Sequence, residues 1–374
     1  MKQQSILFFC GDGNSLVNFR GNLIKQFIKK DFKVYAIAPN LNSSSKKFLT
    51  NLGVHIEIIN FERKSVNPFS SFISLFWLTK KIHNINPDIT FSYTHKPLVF
   101  GAFASYFSRI PKIVSLVTGT GHIFDNHTIY TKLRRFVGLI GFKLALKIST
   151  HIIFQNKDDR SLFLDLKLAE ESKTFVVNGS GVDIDYFSPE IHPSQLTFLC
   201  LARLIKSKGL EEYAHACNIV REKIPSARFL LGGAPDIHSD SIDLEEIQNS
   251  WFEKYGIEYI GFIDDPRKAI KMSSVYVLLS YNEGTPRTVL EAMSMGRPII
   301  TTDVNGCRET VKDGVNGFLV PKLDFVDAAN YMVKFSDSLL LSEMSRESRQ
   351  YCEEKYDVHK VNASIFSILG CGIE

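Results

Sequence analysis

Both halves of this sequence alternate short β-rich runs with longer amphipathic segments, and this repeated order constrains the fold more than any other feature. Alternation of this kind is typical of parallel sheets whose strands are joined by helical crossovers. We therefore predict an α/β protein with two doubly wound domains that face each other across a cleft. The predicted strands are Ser5–Cys10, Lys33–Ala38, His55–Ile59, Ile89–Tyr93, Ile113–Val117 and His151–Gln155 in the first half, and Leu196–Leu201, Arg228–Gly232, Glu258–Ile260, Val275–Leu279, Pro298–Thr302 and Gly317–Val320 in the second.

The length of 374 residues exceeds what one ordinary hydrophobic core accommodates, which again favours two domains. A polar segment with two prolines, residues 185–194, separates the halves and has the composition of a linker. We place a first domain at residues 1–187 and a second domain at residues 188–352. Residues 353–374 form a helical tail in this prediction, and we expect the tail to pack back on the first domain.

Charge and cysteine content narrow the functional classes. The formal net charge is only +4, the Lys and Arg residues are spread out, and no nucleic-acid-binding motif occurs, so we predict no nucleic-acid partner. The six cysteines include no CxxC pair, which favours reduced thiols in a cytoplasmic protein.

No run reaches the roughly 18 to 20 apolar residues of a membrane helix, and the first apolar run is too short for a signal peptide. We expect a soluble protein or one that binds a membrane surface.

Ligands of doubly wound sheets bind at the carboxyl ends of the strands, so the loops that follow strands hold the candidate residues. Arg203 and Lys208 follow the first strand of the second half, where a guanidinium and an ammonium can share one diphosphate. Gly233 closes the next strand and would let the backbone approach a ligand. Phe262 and Ile263 follow a further strand and can line a base pocket. Ordinary solvated turns are the alternative for each of these loops.

Two glutamates, Glu283 and Glu291, are separated by seven residues later in the same half. This spacing is a little over two helical turns, so a loop carboxylate and a helix carboxylate can face one cavity. The helix N-terminus between them favours an anion. On its own the spacing also fits a loop acid followed by a solvated helix residue. The residues that follow Glu283 and belong to the same candidate site are Gly284, Thr285, Pro286 and Arg287.

In their order along the chain these elements resemble the retaining family-4 glycosyltransferases of the GT-B fold. Asn178–Pro189 is similar to the family's entry to its donor domain, and Gly296–Asp303, Gly306–Glu309 and Asp313–Gly317 are similar to its ending. The resemblance implies two facing Rossmann-like domains with a cleft between them. The first domain would bind an acceptor and the second a nucleotide-sugar donor.

The resemblance also implies roles for the donor-side residues. Glu291 would bind the ribose hydroxyls of UDP, and Glu283 would be a catalytic residue near the transferred sugar. The backbone that follows Glu283 would meet sugar hydroxyls and phosphate. Arg203 and Lys208 would neutralise the departing diphosphate, where negative charge develops. No Asp-x-Asp motif stands at a suitable strand end, so we predict a metal-independent reaction with no cofactor besides the UDP-sugar co-substrate.

The first loop of the chain, residues 10–15, contains two glycines that would let its backbone approach the cleft. Its pattern is not GxGxxG, so we do not predict a dinucleotide site. We assign Gly13 to the donor site and Asn14 to the acceptor site. Arg20 lies on the following helix and is either an acceptor phosphate contact or a solvated residue.

Two histidines follow strands in the first half. His95 and Lys96 stand at the end of one strand, and His122 ends a glycine-rich loop after the next. Many relatives carry a histidine near Thr118 that touches the donor sugar, and this chain does not. The catalytic contact therefore falls to His95, to His122 or to neither, while Lys96 is assigned to the acceptor.

A basic amphipathic segment, Tyr130–Lys147, is suited to an anionic membrane surface, and we assign its Arg134 and Arg135 to acceptor binding. The alternative is a core helix with a solvated basic face. An earlier aromatic helix carries a second stripe that we assign to the core instead of the membrane. That stripe consists of Phe69, Phe72, Phe76 and Trp77.

Arg63–Pro68, His95, Lys96 and the first glycine loop are also similar to a narrower subgroup of bacterial enzymes. These add N-acetylgalactosamine or a similar sugar to an undecaprenyl-diphosphate-linked sugar. We therefore predict transfer of a hexose or N-acetylhexosamine from UDP to a lipid-linked saccharide, by a cytoplasmic enzyme peripheral on the inner face of the plasma membrane. Two alternatives stay open, a UDP-sugar epimerase on the same fold and a non-catalytic nucleotide-sugar-binding protein.

Overall fold

The computed structural model describes residues 3–59, 68–119, 129–236 and 240–372, and it describes the backbone alone for residues 68–71 and 129–137. The chain divides into two compact units. The first unit comprises residues 1–180 together with 362–374, and the second comprises residues 181–361. Each unit is built around a parallel sheet, as the alternating sequence pattern predicts.

The described residues of the first unit form a seven-stranded parallel sheet in the order β3-β2-β1-β4-β5-β6-β7. The strand order reverses between β1 and β4, which pair in parallel from Ile6 opposite Ile89 to Phe9 opposite Ser92. Loops that follow these two strands therefore lie next to each other at the carboxyl edge. The strands are β1 Ser5–Phe9, β2 Lys33–Ala38, β3 His55–Ile58, β4 Ile89–Tyr93, β5 Lys112–Val117, β6 His151–Phe154 and β7 Thr174–Val176.

The helices of the first unit cover both faces of this sheet. The single helix that we expect after the first loop is two helices, because the backbone leaves the helical region at Arg20, where φ is −124° and ψ is −1°. Strand β7 is an additional element that the sequence pattern did not indicate. The helices are α1 Asn14–Asn18, α2 Gly21–Lys29, α3 Ser43–Asn51, α4 Pro68–Ile85, α5 His95–Phe107, α6 Ile129–Ile148 and α7 Lys157–Asp165.

The second unit contains a six-stranded parallel sheet in the order β10-β9-β8-β11-β12-β13, with its reversal between β8 and β11. Its core is one cluster in which the strands and the helices on both faces pack together. The strands are β8 Thr197–Leu201, β9 Arg228–Gly232, β10 Ile257–Tyr259, β11 Val275–Leu278, β12 Ile299–Thr302 and β13 Gly317–Val320. The helices are α8 Leu210–Lys223, α9 Leu244–Tyr255, α10 Pro266–Lys271, α11 Arg287–Ser294, α12 Phe325–Lys334 and α13 Ser338–Lys355. A last helix, α14 Val358–Ile368, begins in the second unit and belongs to the first unit from residue 362.

The unit boundaries differ from the predicted domain bounds of 187 and 353. Residues 181–187 belong to the second unit, where Val182 donates to the carbonyl of Tyr356 (2.8 Å) and accepts from the amide of Val358 (2.9 Å). Only the last part of the expected tail, from residue 362, belongs to the first unit. There Phe366 packs against Phe27 with ring centroids 4.4 Å apart. The unit boundaries are set by the backbone pairing of Val182 and the aromatic packing of Phe366. The proline-rich composition of the linker reveals neither contact.

The aromatic stripe of α4 is exposed, so its assignment to the core is wrong for the three side chains that the structure describes. Phe72, Phe76 and Trp77 are 72%, 61% and 53% exposed, while Leu78 and Ile82 form the buried side of the helix. α4 is apolar on two sides, and the sheet can cover only one of them. The side chain of Phe69 lies outside the described residues. Within the described part of the chain, no helix is both long and apolar enough to span a membrane.

Candidate active site

The loops after β8 and β11 meet at the reversal of the second sheet. Lys208 follows β8 and Glu283 follows β11, and their side chains form an ion pair between Nζ and Oε1. Both are mostly buried, with 16% and 15% of the side chains exposed. A pair at this depth is screened less by water than a surface pair. The reversal point therefore holds one cation and one carboxylate in direct contact.

The turn that carries Lys208 is fixed by a glycine. Lys206–Lys208 form one turn of 3-10 helix that ends at Gly209, whose φ of +68° is left-handed. A Cβ at Gly209 would lie 2.0 Å from the carbonyl oxygen of Leu279 at the end of β11. The amide of Tyr281 donates to the carbonyl of Ser207 over 2.9 Å. The β8 turn is thus held against the end of β11, and this brings Lys208 to Glu283.

The loop that carries Glu283 rests on the loop that follows β12. The amide of Glu283 donates to the carbonyl of Asn305 (3.2 Å), and Gly306 lies directly against the same backbone. A Cβ at Gly306 would be 2.3 Å from the carbonyl oxygen of Glu283 and 2.5 Å from that of Gly284. Burial, with a contribution from the Glu283 charge, raises the pKa of the neighbouring Cys307 thiol to about 12, so this thiol is protonated at neutral pH.

Glu291 is the buried carboxylate of the site. Helix α11 begins at Arg287, directly after Pro286, and places Glu291 one turn later with 5% of the residue exposed. Arg287 Nε donates to Glu291 Oε1 over 2.8 Å. Burial raises the pKa of the Glu291 carboxyl, and the Arg287 charge acts in the opposite direction. A carboxylate held in this way is suited to accept hydrogen bonds from ligand hydroxyls.

The remaining loops of this edge are joined through Gly233. Its amide donates to the carbonyl of Gly261 over 2.9 Å, and its own carbonyl accepts from the Tyr259 hydroxyl over 2.7 Å. A Cβ at Gly233 would lie 1.8 Å from the carbonyl oxygen of Ala202. A glycine is needed here because the loops after β8 and β9 pack together, whether or not a ligand also approaches.

Arg203 is the exposed cation of this edge, with 57% of its side chain accessible, and it pairs with Asp236 over 2.5 Å. Phe262 is also exposed, whereas Ile263 is half-buried. Thr285 and Gly284 lie half-buried beside Glu283. The edge therefore combines three cations, a helix N-terminus and a buried carboxylate. This set can hold a polyanion at one end and hydroxyl groups at the other, and its cations can stabilise a departing diphosphate.

A family model for glycosyl transferases group 1 matches residues 195–337, which include all the side chains of this edge. The chain contains a glycosyl transferases group 1 domain. An N,N'-diacetylbacillosaminyl-diphospho-undecaprenol alpha-1,3-N-acetylgalactosaminyltransferase from Campylobacter jejuni is 29% identical over 324 residues, which cover 83% of this chain and 83% of that protein. A UDP-Gal:alpha-D-GlcNAc-diphosphoundecaprenol alpha-1,3-galactosyltransferase from Escherichia coli is 25% identical over 79% of this chain and 77% of its own.

The GT-B fold of this chain is shown by its likeness to solved structures. Anabaena HepE, whose crystal structure contains UDP-glucose, matches with a TM-score of 0.78 and 19% sequence identity. The match covers 98% of this chain and 99% of that one. Two parallel-sheet Rossmann-like domains are therefore confirmed as the fold, as the sequence predicts.

In the first unit, the loop after β1 contains Gly13 and Asn14. A Cβ at Gly13 would lie 1.8 Å from the carbonyl oxygen of Asn40, so this glycine lets the first two strand-end loops pack together. Asn14 Oδ1 accepts from the amide of Asn42 over 3.1 Å. Arg20 is only 3% exposed and lies over the Tyr93 ring, 5.4 Å from its centroid. Arg20 is thus an interior residue at the reversal of the first sheet, which argues against its solvated alternative.

His95 and Lys96 form the first turn of α5, where β4 ends. The residue before them, Thr94, has a φ of +66°, a conformation that a β-branched residue rarely adopts. The His95 ring packs edge-on against Phe142 with centroids 5.7 Å apart, and Lys96 Nζ lies 5.5 Å from the Phe100 ring centre. His122 lies outside the described residues, and so do the side chains of Arg134 and Arg135.

Three residues at this edge of the second sheet are absent from the sequence-based candidates. Asp236 pairs with Arg203, Gly306 supports the Glu283 loop, and Glu212 Oε1 accepts from the Tyr281 hydroxyl over 2.7 Å. Each acts through a contact with a residue at least twenty positions away. Asp236 and Gly306 each stand just after a strand end, which marked them as residues of this edge, whereas Glu212 on α8 had no such signal.

Proposed function

We propose that this glycosyltransferase moves a hexose or N-acetylhexosamine from a UDP-sugar to an undecaprenyl-diphosphate-linked saccharide, with retention of the anomeric configuration. N-Acetylgalactosamine and N-acetylglucosamine are the first candidates for the sugar. The names of the Campylobacter jejuni and Escherichia coli relatives support the acceptor class, and the UDP-glucose in HepE supports the donor class. The product would be a lipid-linked precursor of a cell-surface glycan.

The single observation that carries this proposal is the Lys208–Glu283 pair at the sheet reversal, with the buried Glu291 on the helix that follows. Lys208 and Arg203 would bind the donor diphosphate, and Glu291 would accept hydrogen bonds from the ribose. Glu283 and the backbone from Gly284 to Arg287 would contact the sugar. Phe262 and Ile263 would border the base.

Charge builds on the diphosphate as the sugar leaves, so cations fixed at that place lower the barrier. In the proposed front-face reaction the acceptor hydroxyl attacks C1 on the face from which UDP departs. A departing phosphate oxygen takes the hydroxyl proton as the new glycosidic bond forms. Arg203, Lys208 and the N-terminus of α11 would supply the positive charge without a divalent cation. Full activity in EDTA is the expected result, and loss that magnesium restores would contradict it.

Acceptor binding belongs to the first unit in this proposal. Asn14, Arg20 and Lys96 would contact the acceptor together with Arg134 and Arg135, and His95 or His122 would contact the donor sugar. The basic segment that ends at Lys147 would hold the protein on an anionic membrane surface.

A donor screen by UDP release tests the proposal, with undecaprenyl-diphosphate sugars as acceptors and NMR of the product to read the anomeric configuration. Rapid release with a UDP-hexose or UDP-N-acetylhexosamine, and an α-linked product from an α-donor, are expected. Formation of an epimer without acceptor would indicate an epimerase instead. UDP binding without turnover on any donor would indicate a non-catalytic protein.

A further inference from the structure

Three neighbouring helices of the first unit, α4, α5 and α6, contain no aspartate or glutamate. Helices of 18, 13 and 20 residues would carry several acids in a chain that has 40 among 374 residues. All three lie on one face of the sheet, because they connect strands that advance in one direction from β3 to β6, and α5 packs between the other two. Three adjacent helices of this face therefore carry basic charge only, whereas α7, the next helix on the same face, carries Asp158, Asp159 and Asp165.

The outer side of α4 is an aromatic stripe. Phe72, Ile73, Phe76 and Trp77 project from the same side of the helix, and between 44% and 72% of each residue is exposed. Lys80 continues the stripe one turn later, with its Nζ 5.4 Å from the centre of the Trp77 ring. Single exposed apolar residues are ordinary on protein surfaces, but a contiguous aromatic stripe marks an interaction site.

The stripe extends onto α5. Ser108, at the end of α5, donates to the carbonyl of Thr79 on α4 over 3.2 Å, and the residues just before it, Tyr106 and Phe107, are both more than half exposed. We call these six residues of α4 and α5 the aromatic surface. Its members are Phe72, Ile73, Phe76, Trp77, Tyr106 and Phe107.

Lysines flank the aromatic surface. On α6 the exposed residues Lys143 and Lys147 alternate with the exposed Ile140 and Leu144, so this helix also presents a mixed basic and apolar side. A carboxylate does lie beside these helices. It belongs to Glu57 of β3, which forms an ion pair with Lys81 of α4. The combination of exposed rings with a rim of lysines matches the headgroup layer of an anionic leaflet, where aromatic rings and ammonium groups are both favoured.

We propose that the aromatic surface docks this protein on an anionic lipid leaflet, with its rings in the headgroup layer and Lys80, Lys143 and Lys147 near lipid phosphates. The proposal deepens the proposed function and rests on it in one respect, since a lipid-linked acceptor lies in such a leaflet. A second copy of the chain is a poorer occupant. Two copies joined through this surface would bring lysines together without a carboxylate from α4, α5 or α6 to pair with them.

The direction of α4 relates the surface to the acceptor loops. The helix ends at Ile85, just before β4 begins, so its first turns lie toward the carboxyl edge of the sheet. The loops that hold Asn14, His95 and Lys96 are at that same edge. A leaflet bound to Phe72 and Phe76 would therefore lie near these loops, where a saccharide on a membrane lipid has to arrive.

The two tryptophans of the chain give a direct test, because Trp77 is 53% exposed and Trp251 is 2% exposed. Vesicles of phosphatidylcholine with phosphatidylglycerol should shift the fluorescence maximum to the blue, and vesicles of phosphatidylcholine alone should not. The shift should disappear in Trp77→Phe and remain in Trp251→Phe. No shift with anionic vesicles, or a shift that survives Trp77→Phe, would overturn the proposal.

Flotation with the same vesicles supplies a matched comparison. Phe76→Glu should lower the bound fraction about tenfold or more. Phe252→Glu, at a phenylalanine of α9 that is equally exposed, should leave it unchanged. Equal loss in both variants would overturn the proposal. So would a wild-type dimer that Phe76→Glu converts to a monomer in light scattering, since the surface would then belong to a second copy.

Transfer to an acceptor with a short, water-soluble lipid separates this proposal from the proposed function. Phe76→Glu should keep wild-type transfer in that assay while it loses vesicle binding. If the wild-type protein binds anionic vesicles through Trp77 but transfers no sugar to any acceptor, the proposed function fails and the docking surface stands. If Phe76→Glu loses the short-chain transfer as well, the surface serves the fold or the site instead of the lipid.

Discussion

Lys208 and Glu283 form an ion pair across the point at which the strand order of the second sheet reverses. Strand β8 delivers the lysine and strand β11 delivers the glutamate, so the pair joins the two halves of the sheet at its ligand-binding edge. In the proposed function a donor diphosphate binds the ammonium group that Glu283 holds in this structure. On that proposal, donor binding would require Lys208 to exchange one anionic partner for another.

Glu283→Gln should separate binding from catalysis. Without the competing carboxylate, UDP alone should bind several-fold to about tenfold more tightly in calorimetry, because Lys208 no longer has to leave a buried partner. Sugar transfer should fall about 100-fold or more if Glu283 contacts the sugar. Asp236→Asn is the control, since its partner Arg203 is largely exposed and such pairs contribute little. Weaker UDP binding by Glu283→Gln would contradict the exchange.

Gly306→Ala should inactivate the enzyme without unfolding it. The added Cβ would lie 2.3 Å from the carbonyl oxygen of Glu283, so the Glu283 loop has to move, and transfer should fall at least about tenfold. Gly314→Ala is the matched control, because its φ is the same +74° and no atom lies within 4 Å of the added carbon. Gly314→Ala should cost roughly 1 kcal/mol in the free energy of unfolding for the left-handed backbone, and Gly306→Ala should cost more because the Glu283 loop is displaced as well. Equal activity in the two variants would remove Gly306 from the support of the site.

Glu291→Gln should stabilise the free protein and weaken donor binding. Burial raises the pKa of this carboxyl in the folded state, so folding favours its protonated form. The stabilising contribution is present below the unfolded pKa of 4.5 and is lost as the pH rises through the folded pKa. The melting temperature of Glu291→Gln should thus exceed that of the wild type at pH 7.5, and the difference should vanish near pH 4. UDP affinity should fall about tenfold or more with the ribose contact. A melting temperature below wild type at pH 7.5 would show that the Arg287 contact outweighs the burial.

His192 should make the protein sensitive to acid. Its Nδ1 accepts from Arg297 over 3.1 Å, and its Nε2 lies 2.8 Å from Ser345 Oγ. Burial, assisted by the Arg297 charge, lowers the pKa of the imidazole from 6.5 to about 4. The neutral ring stabilises the fold above pH 6.5, and this contribution is lost as the pH falls to about 4.

Urea titrations between pH 7.5 and 4 should show a shallower loss of stability for His192→Gln than for the wild type. His359→Gln, at an exposed position of α14, should follow the wild-type slope. Identical slopes for all three proteins would show that another group controls the acid transition.

The sequence could predict which loops carry Lys208 and Glu283, because a parallel sheet has the carboxyl ends of all its strands at one edge. It could not predict that these two side chains hold each other, or that Gly306 lies beneath Glu283. Those contacts join loops that follow different strands, and their closeness depends on the packing of the whole sheet. Hydrophobic periodicity describes one helix or strand at a time and does not show which loops contact each other.

The local sequence pattern also gave a wrong prediction where either side of a helix could be buried. α4 is apolar on two sides, and only the neighbours of Leu78 and Ile82 decide which side is buried. Strand β7 has three residues, too few for a period of two to be recognised. The helix expected after the first loop breaks at Arg20, and the glycine beside the break, Gly21, is the first residue of the second helix.

Phe262 is exposed in the loop after β10, while the backbone beside it is held by the hydrogen bond from Gly233 to Gly261. Its side chain therefore contributes little to the folding of the second unit. If Phe262 borders the base as proposed, a change at residue 262 would alter which nucleobase is preferred without a penalty in stability. Selection for a new donor would then act on this position directly, and no compensating substitution in the core would have to come first.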